Sequence, residues 1–272
     1  MSKLTPDETR WCADQLWNAQ RTGKPCAPLT ARHAGITPEE AYAIQAINVR
    51  RRTHERGLRG GPATRIGLKI GLTSKAVQDW LGVGEPDFGF LLSDMVIADG
   101  DTGPLECLLQ PRAEGEIAFV LQRDLSGPGV TAADVLQATD FILPAIEVVD
   151  SRVLDWKVKY ADTVADNASS GMFVLGTTPV SPRGFDFRHC GMSLSKRGRV
   201  VSTGAGAACL ANPVNAVAWL ANTFGALGTE LRAGEVILSG ALGPVTPVAE
   251  GDTIEVAISG LGAARAVFSR SH

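Results

Sequence analysis

The chain is poor in charge and without a long unbroken apolar run, and each scarcity removes a class of function. Charged residues make up 20% of it, and the formal net charge is −3. Binding to a phosphate backbone or an anionic bilayer needs clustered positive charge, so neither nucleic acid nor membrane is expected as a partner. The one basic run, Arg50-Arg51-Arg52 with Arg56, falls at the end of an expected helix, where cations offset the negative end of the helix dipole. The most apolar long stretch, 207–227, is broken by Asn212, Pro213, Asn215 and Asn222, which rules against an unaided membrane span.

Cysteine is sparse as well. The five, at positions 12, 26, 107, 190 and 209, are odd in number and widely spaced with no CxxC pair, so they read as reduced core thiols rather than a disulfide framework. The start Met-Ser-Lys-Leu-Thr-Pro-Asp-Glu has no basic segment followed by an apolar run; no secretory signal is expected, and the cytoplasm is the expected compartment. Histidines 33, 54, 189 and 272 form no cluster with a cysteine or serine, and neither a GKS/GKT loop nor a G-x-S-x-G elbow occurs. Gly204-Ala205-Gly206-Ala207-Ala208-Cys209 lacks the third glycine and the strand–loop–helix setting of a dinucleotide loop.

What is present is enough apolar residue, 44% of 272, to bury a full core. Thr5-Pro6-Asp7-Glu8 and Thr37-Pro38-Glu39-Glu40 both start helices, with a capping hydroxyl, proline at the first helical position and carboxylates at the positive helix end. The first should run to Thr22-Gly23 and the second should stop at Gly57. From residue 63 the pattern changes to short apolar runs between glycine-rich turns. Strands are expected at 65–71, 116–122, 145–149, 171–175, 236–239, 253–258 and 265–269, and helices at 131–139 and 213–227. In the last helix Val214, Val217, Leu220, Ala221, Phe224 and Leu227 form one apolar face, capped by Asn212 and stopped by Gly228. The fold class is α+β, one compact unit with a helical segment over 1–62 ahead of a β-rich part over 63–272.

Two carboxylates, Glu114 and Glu116, stand at i and i+2 as an apolar strand begins, and on a strand they share a face. Such like charges are tolerated by a cation, a buried proton or open solvent. Glu147 lies inside the apolar run Phe141-Ile142-Leu143-Pro144-Ala145-Ile146-Glu147-Val148-Val149, where an unpaired charge is costly. If the two strands are neighbours, three glutamates converge into a hard oxygen site suited to Mg²⁺, Mn²⁺ or Ca²⁺; otherwise Arg112 or Arg152 could pair with Glu147. Lys69 sits in an apolar strand between Gly67 and Gly71, as a desolvated proton-exchanging amine or as a snorkelling surface lysine. Glu85-Pro86-Asp87-Phe88-Gly89 reads as a turn-like polar loop.

Together the runs Lys69-Ile70-Gly71-Leu72-Thr73, Pro86-Asp87-Phe88-Gly89, Glu114-Gly115-Glu116, Pro144-Ala145-Ile146-Glu147-Val148, Asp162-Thr163-Val164-Ala165-Asp166-Asn167-Ala168-Ser169 and Ser239-Gly240-Ala241-Leu242-Gly243-Pro244 resemble, in order and spacing, the 2-oxopent-4-enoate hydratases of the fumarylacetoacetate hydrolase superfamily. The resemblance spans nearly the whole chain. It implies a mixed β-sandwich roll in which Glu114, Glu116 and Glu147 hold Mg²⁺ or Mn²⁺, and a homo-oligomer built from dimers. It implies a hydro-lyase that converts 2-hydroxypenta-2,4-dienoate, or a close analogue, to a 4-hydroxy-2-oxo acid in aromatic catabolism. Lys69 and Asp87 then take proton transfer and orientation, in an order left open, and Leu72, Ser169, Gly240 and Ala241 contact the substrate. A related 2-oxo-acid decarboxylase, of the 4-oxalocrotonate type, has the same glutamates and lysine and is the nearest alternative. A non-catalytic 2-oxo-acid-binding subunit, scaffolding an enzyme upstream or downstream in the pathway, is the alternative of another class. A C–C hydrolase would need a histidine–carboxylate pair, and no histidine lies near the glutamates in sequence.

Overall fold

In the computed structural model, which describes residues 3–55, 57, 58 and 60–270, the chain opens with three helices: α1 (Pro6–Thr22), α2 (Leu29–Arg32) and α3 (Pro38–His54). Arg56 and His272 lie outside the described residues. Both expected capping boxes form, Thr5 with Glu8 and Thr37 with Glu40, and Gly23 closes α1 in the left-handed conformation. The short α2 has no counterpart among the expected helices, because four residues carry too little periodicity to signal one.

Next come β1 (Arg65–Gly71), α4 (Lys75–Leu81), β2 (Asp87–Leu92), β3 (Val96–Ile97), β4 (Thr102–Pro104) and β5 (Arg112–Leu121). The middle of the chain supplies α5 (Ala132–Ala138), β6 (Thr139–Val149), α6 (Tyr160–Ala165), β7 (Ser170–Leu175), β8 (Gly191–Lys196) and β9 (Arg199–Ala205). It ends with α7 (Pro213–Ala226), β10 (Val236–Leu238), β11 (Thr246–Pro247), β12 (Asp252–Ile258) and β13 (Gly262–Ser269). One mixed sheet runs β2-β1-β10-β5-β6-β7-β3, with β11 also on β5, and a second runs β4-β13-β12-β8-β9. Among the described residues no helix is long and apolar enough to cross a membrane.

Several expectations need correction. Asp87 is not in a loop: it begins β2, whose antiparallel pairing puts it opposite Gly71, and a long-range ladder overrides the turn-like composition of its neighbours. β5 starts at Arg112 rather than Glu116, so both glutamates lie inside the ladder. Leu227 is 62% exposed and falls beyond the last turn of α7, whereas Val214, Val217, Leu220, Ala221 and Phe224 are buried as the apolar face requires. No disulfide forms among the described residues, but Cys26 and Cys107 are only half-buried.

The sheets pack face to face, and strand alternation decides what β5 does. Ala113, Ile117 and Phe119 point into the core between the sheets, which also takes Ile146 and Val148 of β6 and Met192, Leu194, Ile254 and Val256 of the second sheet. Gly115 faces the same way. A Cβ there would stand 3.0 Å from both Met192 Sδ and Val256 Cγ1, so the residue between the two glutamates has no room for a side chain. Glu114 and Glu116 therefore share the opposite face, whose remaining length is covered by Ala118, Leu143, Ala145, Phe173 and Leu238. The N-terminal helices make a second core with α6 through Cys12, Leu16, Ala41, Ile44, Val153 and Val164.

Candidate active site

Antiparallel register sets Glu147 of β6 directly opposite Glu114 of β5, with Glu116 two residues further along the same face. One carboxylate oxygen from each of the three lies within 4.8 Å of the others. Glu116 and Glu147 are fully buried and Glu114 half-buried. Neither arginine considered for Glu147 reaches it. Arg152 pairs with Asp166 at 2.5 Å, and Arg112 stacks on the Trp156 ring at 4.5 Å. The cation beside Glu147 is Lys69, 3.3 Å away, and its side chain is only 4% exposed, which removes the snorkelling alternative.

One lysine does not satisfy this cluster. Glu116 Oε1 and both oxygens of Glu147 are buried without a hydrogen bond, and only Glu116 Oε2 receives one, from the Gly240 amide at 2.8 Å. Burial, with Glu147 next to it and Lys69 opposing, pushes the Glu114 carboxyl up to about 7. Burial and the two neighbouring glutamates hold Glu116 well above the ordinary range, and burial raises Glu147 against the pull of Lys69. Three converging carboxyl groups, two of them with orphaned oxygens and none accompanied by a nitrogen or sulfur donor, fit a hard divalent cation with coordination positions to spare.

A cavity of about 230 Å³ opens beside the cluster, lined by Glu114, Lys69, Asp87, Leu72, Ser169 and Ala241 among others. Six of the nine residues expected at the site thus face one space. Glu116 and Glu147 join it through their contact with Glu114. Gly240 does not line it: its amide serves Glu116, and the close approach it permits is to the Thr73 side chain, which a Cβ at this position would strike.

The polar end of the cavity is held by backbone geometry that L-residues seldom adopt. Asn167, Ala168 and Ser169 have φ of 59°, 49° and 51°, a left-handed run that turns the Ala168 carbonyl onto Lys69 Nζ at 3.0 Å. Ser169 Oγ donates to Asp166 Oδ2 at 3.2 Å, which leaves its lone pairs for a ligand. Burial works against the charge of Lys69, but Glu147, Asp87 and the other carboxylates outweigh it and keep the amine protonated. Asp87 is raised by burial, with Lys69 pulling the other way. A Cβ on Gly71 would collide with Asp87 Oδ1 and stand 3.2 Å from Lys69 Nζ, so this glycine makes the space in which the two groups meet.

Sequence reasoning missed three neighbours of the site. Arg112, Trp156 and Thr163 line the cavity, and Thr163 bonds Asp87 at 3.0 Å. Arg112 is legible in hindsight, two residues before Glu114 on the same strand face; Thr163, in a short helix, carries no such periodicity. The histidine–carboxylate pair a C–C hydrolase would use exists as His189 and Asp186, 3.0 Å apart, but both are exposed and neither lines the cavity.

Residues 67–269 match the family model of the fumarylacetoacetate (FAA) hydrolase C-terminal region. The chain is 53% identical over 265 residues to a 2-keto-4-pentenoate hydratase of Paraburkholderia xenovorans (strain LB400), covering 97% of this chain and 96% of that one. It is 48% identical over 258 residues to a 2-hydroxyhexa-2,4-dienoate hydratase of Comamonas testosteroni, covering 94% and 95%. Among solved structures, the 4-oxalocrotonate decarboxylase of Pseudomonas putida G7, complexed with magnesium and adipate, superposes with a TM-score of 0.91 at 36% identity, over 98% of this chain and all of that one.

Proposed function

Because the chain belongs to the fumarylacetoacetate hydrolase family and to the hydratases within it, we propose that it adds water to 2-hydroxypenta-2,4-dienoate or a close analogue, giving a 4-hydroxy-2-oxo acid in the breakdown of aromatic compounds. The observation that carries the reading is the convergence of Glu114, Glu116 and Glu147, with buried oxygens of Glu116 and Glu147 left without hydrogen bonds, beside a cavity that also holds a buried lysine and a buried aspartate. The three glutamates would hold Mg²⁺ or Mn²⁺, the magnesium in the decarboxylase relative supporting a hard ion of this kind. When bound, the ion supplies positive charge for the carboxylate and 2-oxo oxygens of the acid and for the negative charge that builds there.

The chain's own groups divide the remaining work. Lys69 stays cationic, fixes Glu147 and faces the oxygens of the substrate. Asp87, with its carboxyl raised and Oδ1 free of hydrogen bonds, takes up and releases the proton that moves along the dienoate. Ser169 accepts or orients through its lone pairs, and Leu72 and Ala241 shape the wall. Gly240 acts on the substrate only through Glu116.

A turnover assay on the purified protein, with and without Mg²⁺, tests the reading. Metal-dependent loss of dienoate absorbance without release of carbon dioxide is the expected result. Carbon dioxide release from 4-oxalocrotonate would make it a decarboxylase, and no turnover of either acid in the presence of metal would leave a binding subunit.

A further inference from the structure

We propose that Thr163 is the positioning residue for Asp87, and that Gln45 from the N-terminal helices holds the two in register; this rests on the reading that Asp87 handles the substrate's proton. The Asp87 carboxyl is tied on one side only. Oδ2 receives the Thr163 hydroxyl at 3.0 Å, whereas Oδ1 is buried without a hydrogen bond, on a residue that lines the cavity. One bond to one oxygen fixes which face of the carboxyl turns to the ligand.

The hydroxyl of Thr163 has a second neighbour, the Tyr160 carbonyl three residues back in α6, at 2.9 Å. It has one proton and two candidate acceptors. A carbonyl can only accept, but a carboxyl group can accept or donate. With Oδ2 bare, Thr163 donates to it. With Oδ2 protonated, Thr163 accepts that proton and turns its own to Tyr160. Asp87 can therefore change protonation state with every heavy atom in place, which is what a proton-transfer group needs in order to stay aligned through a reaction cycle.

Gln45 ties the arrangement to the N-terminal helices. Its side chain is 1% exposed, and its amide nitrogen donates to the Phe88 carbonyl at 2.9 Å and the Val164 carbonyl at 3.1 Å. Those are the residues that follow Asp87 and Thr163. One side chain of α3 thus pins β2 to α6 where the pair meets, and Tyr42, one turn earlier, stacks on Phe88 with ring centroids 4.3 Å apart. Neither Gln45 nor Tyr42 lines the cavity.

Steady-state kinetics of the Mg²⁺-loaded protein separate positioning from packing. Thr163→Val keeps the shape and removes the hydroxyl; Thr163→Ser keeps the hydroxyl and removes a methyl. We expect the valine protein to lose about 10- to 100-fold in kcat with KM and Mg²⁺ affinity within about twofold, and the serine protein to stay near wild type. Unchanged kcat in the valine protein, or equal losses in both, overturns the proposal. Should the valine protein not fold, Thr163→Cys takes its place: a thiol is a weak donor, so kcat must fall below that of the serine protein, and equal rates overturn the idea. A wild-type protein without hydratase turnover sinks the function proposed above; wild-type turnover with an indifferent valine variant sinks this inference alone.

Discussion

Glu147 and Asp150 are three residues apart at the end of β6, yet their carboxyl groups live in different chemistry. Asp150 accepts the Leu109 and Gln110 amides at 2.9 and 2.6 Å, and beside it Asp166 accepts Arg152 Nε, the Arg152 amide and Ser169 Oγ. None of these oxygens is orphaned, and Arg152 is ion-paired to both carboxylates. Around Glu147 the hydrogen bonding is incomplete: three buried oxygens lack hydrogen bonds, and a single lysine, ion-paired to Glu147, faces three glutamates. Burial of a carboxylate is common to both groups, so burial does not mark the site. What separates a structural knot from a binding cluster is whether the polar atoms are already satisfied.

The sharpest way to break this contrast is Glu147→Gln, which keeps the shape and removes a charge. We expect metal affinity to collapse and turnover to fall by about 10³-fold, with the metal-free fold retained because a repulsive charge has gone. Isothermal titration with Mg²⁺ and a melting curve check both halves. Near-normal metal binding removes Glu147 from the ligand set.

The opposite pattern is expected in the satisfied group. Asp166→Ala takes from buried Arg152 its nearer carboxylate, leaving Asp150 at 3.9 Å, and should cost about 3–5 kcal/mol of folding stability, read from urea unfolding, while any protein that remains folded still binds metal. If Asp166→Ala and Glu147→Gln destabilise the metal-free protein equally, hydrogen-bond satisfaction does not separate the two groups.

Between these lies Lys69, which belongs to both descriptions as the cation of the cluster and as a cavity group. Lys69→Ala should leave metal bound and lower turnover by about 10²-fold, measured at saturating Mg²⁺. Unchanged turnover takes the lysine out of the mechanism.

How legible the molecule is in its sequence depends on range. The helix starts at Thr5 and Thr37 are readable because a capping box is closed within four residues, and β1 is readable to both ends because glycine and apolar residues bound it. The glutamates are readable as a shared face, but their convergence needs the pairing of β5 with β6, and composition carries no register. β8 and β9 escape a sequence reading because their hairpin exposes Arg199, Val200 and Val201, so no clean alternation survives. Asp87 is hidden by the turn-like residues around it, and the resemblance, not the pattern, points to it. The Asp150–Arg152–Asp166 group is invisible for a similar reason: Arg152 looks like a partner for Glu147, and only the folded chain brings Asp166 to it instead.

The mildest prediction uses pH to pull the two groups apart. Glu114 is raised to about 7 and Asp166 to about 6, in each case chiefly by burial. A carboxyl whose folded-state value lies above its unfolded one favours folding most when protonated, and that contribution is lost as pH rises from the unfolded value through the folded one. The metal-free protein should therefore lose stability from about pH 4 to about pH 7, with a slope on the order of 1 kcal/mol per pH unit from each carboxyl while it lies inside its own window. Metal acts on only one of the groups. It binds the ionised glutamates, so the stabilisation it gives should grow over the same rise in pH, while the share due to Asp166 stays as it was. Melting temperatures at pH 5, 6 and 7.5, with and without Mg²⁺, measure the difference. A metal-induced increase that does not vary with pH would mean that the cluster is already ionised without the ion, and that its oxygens are less starved of partners than the geometry shows.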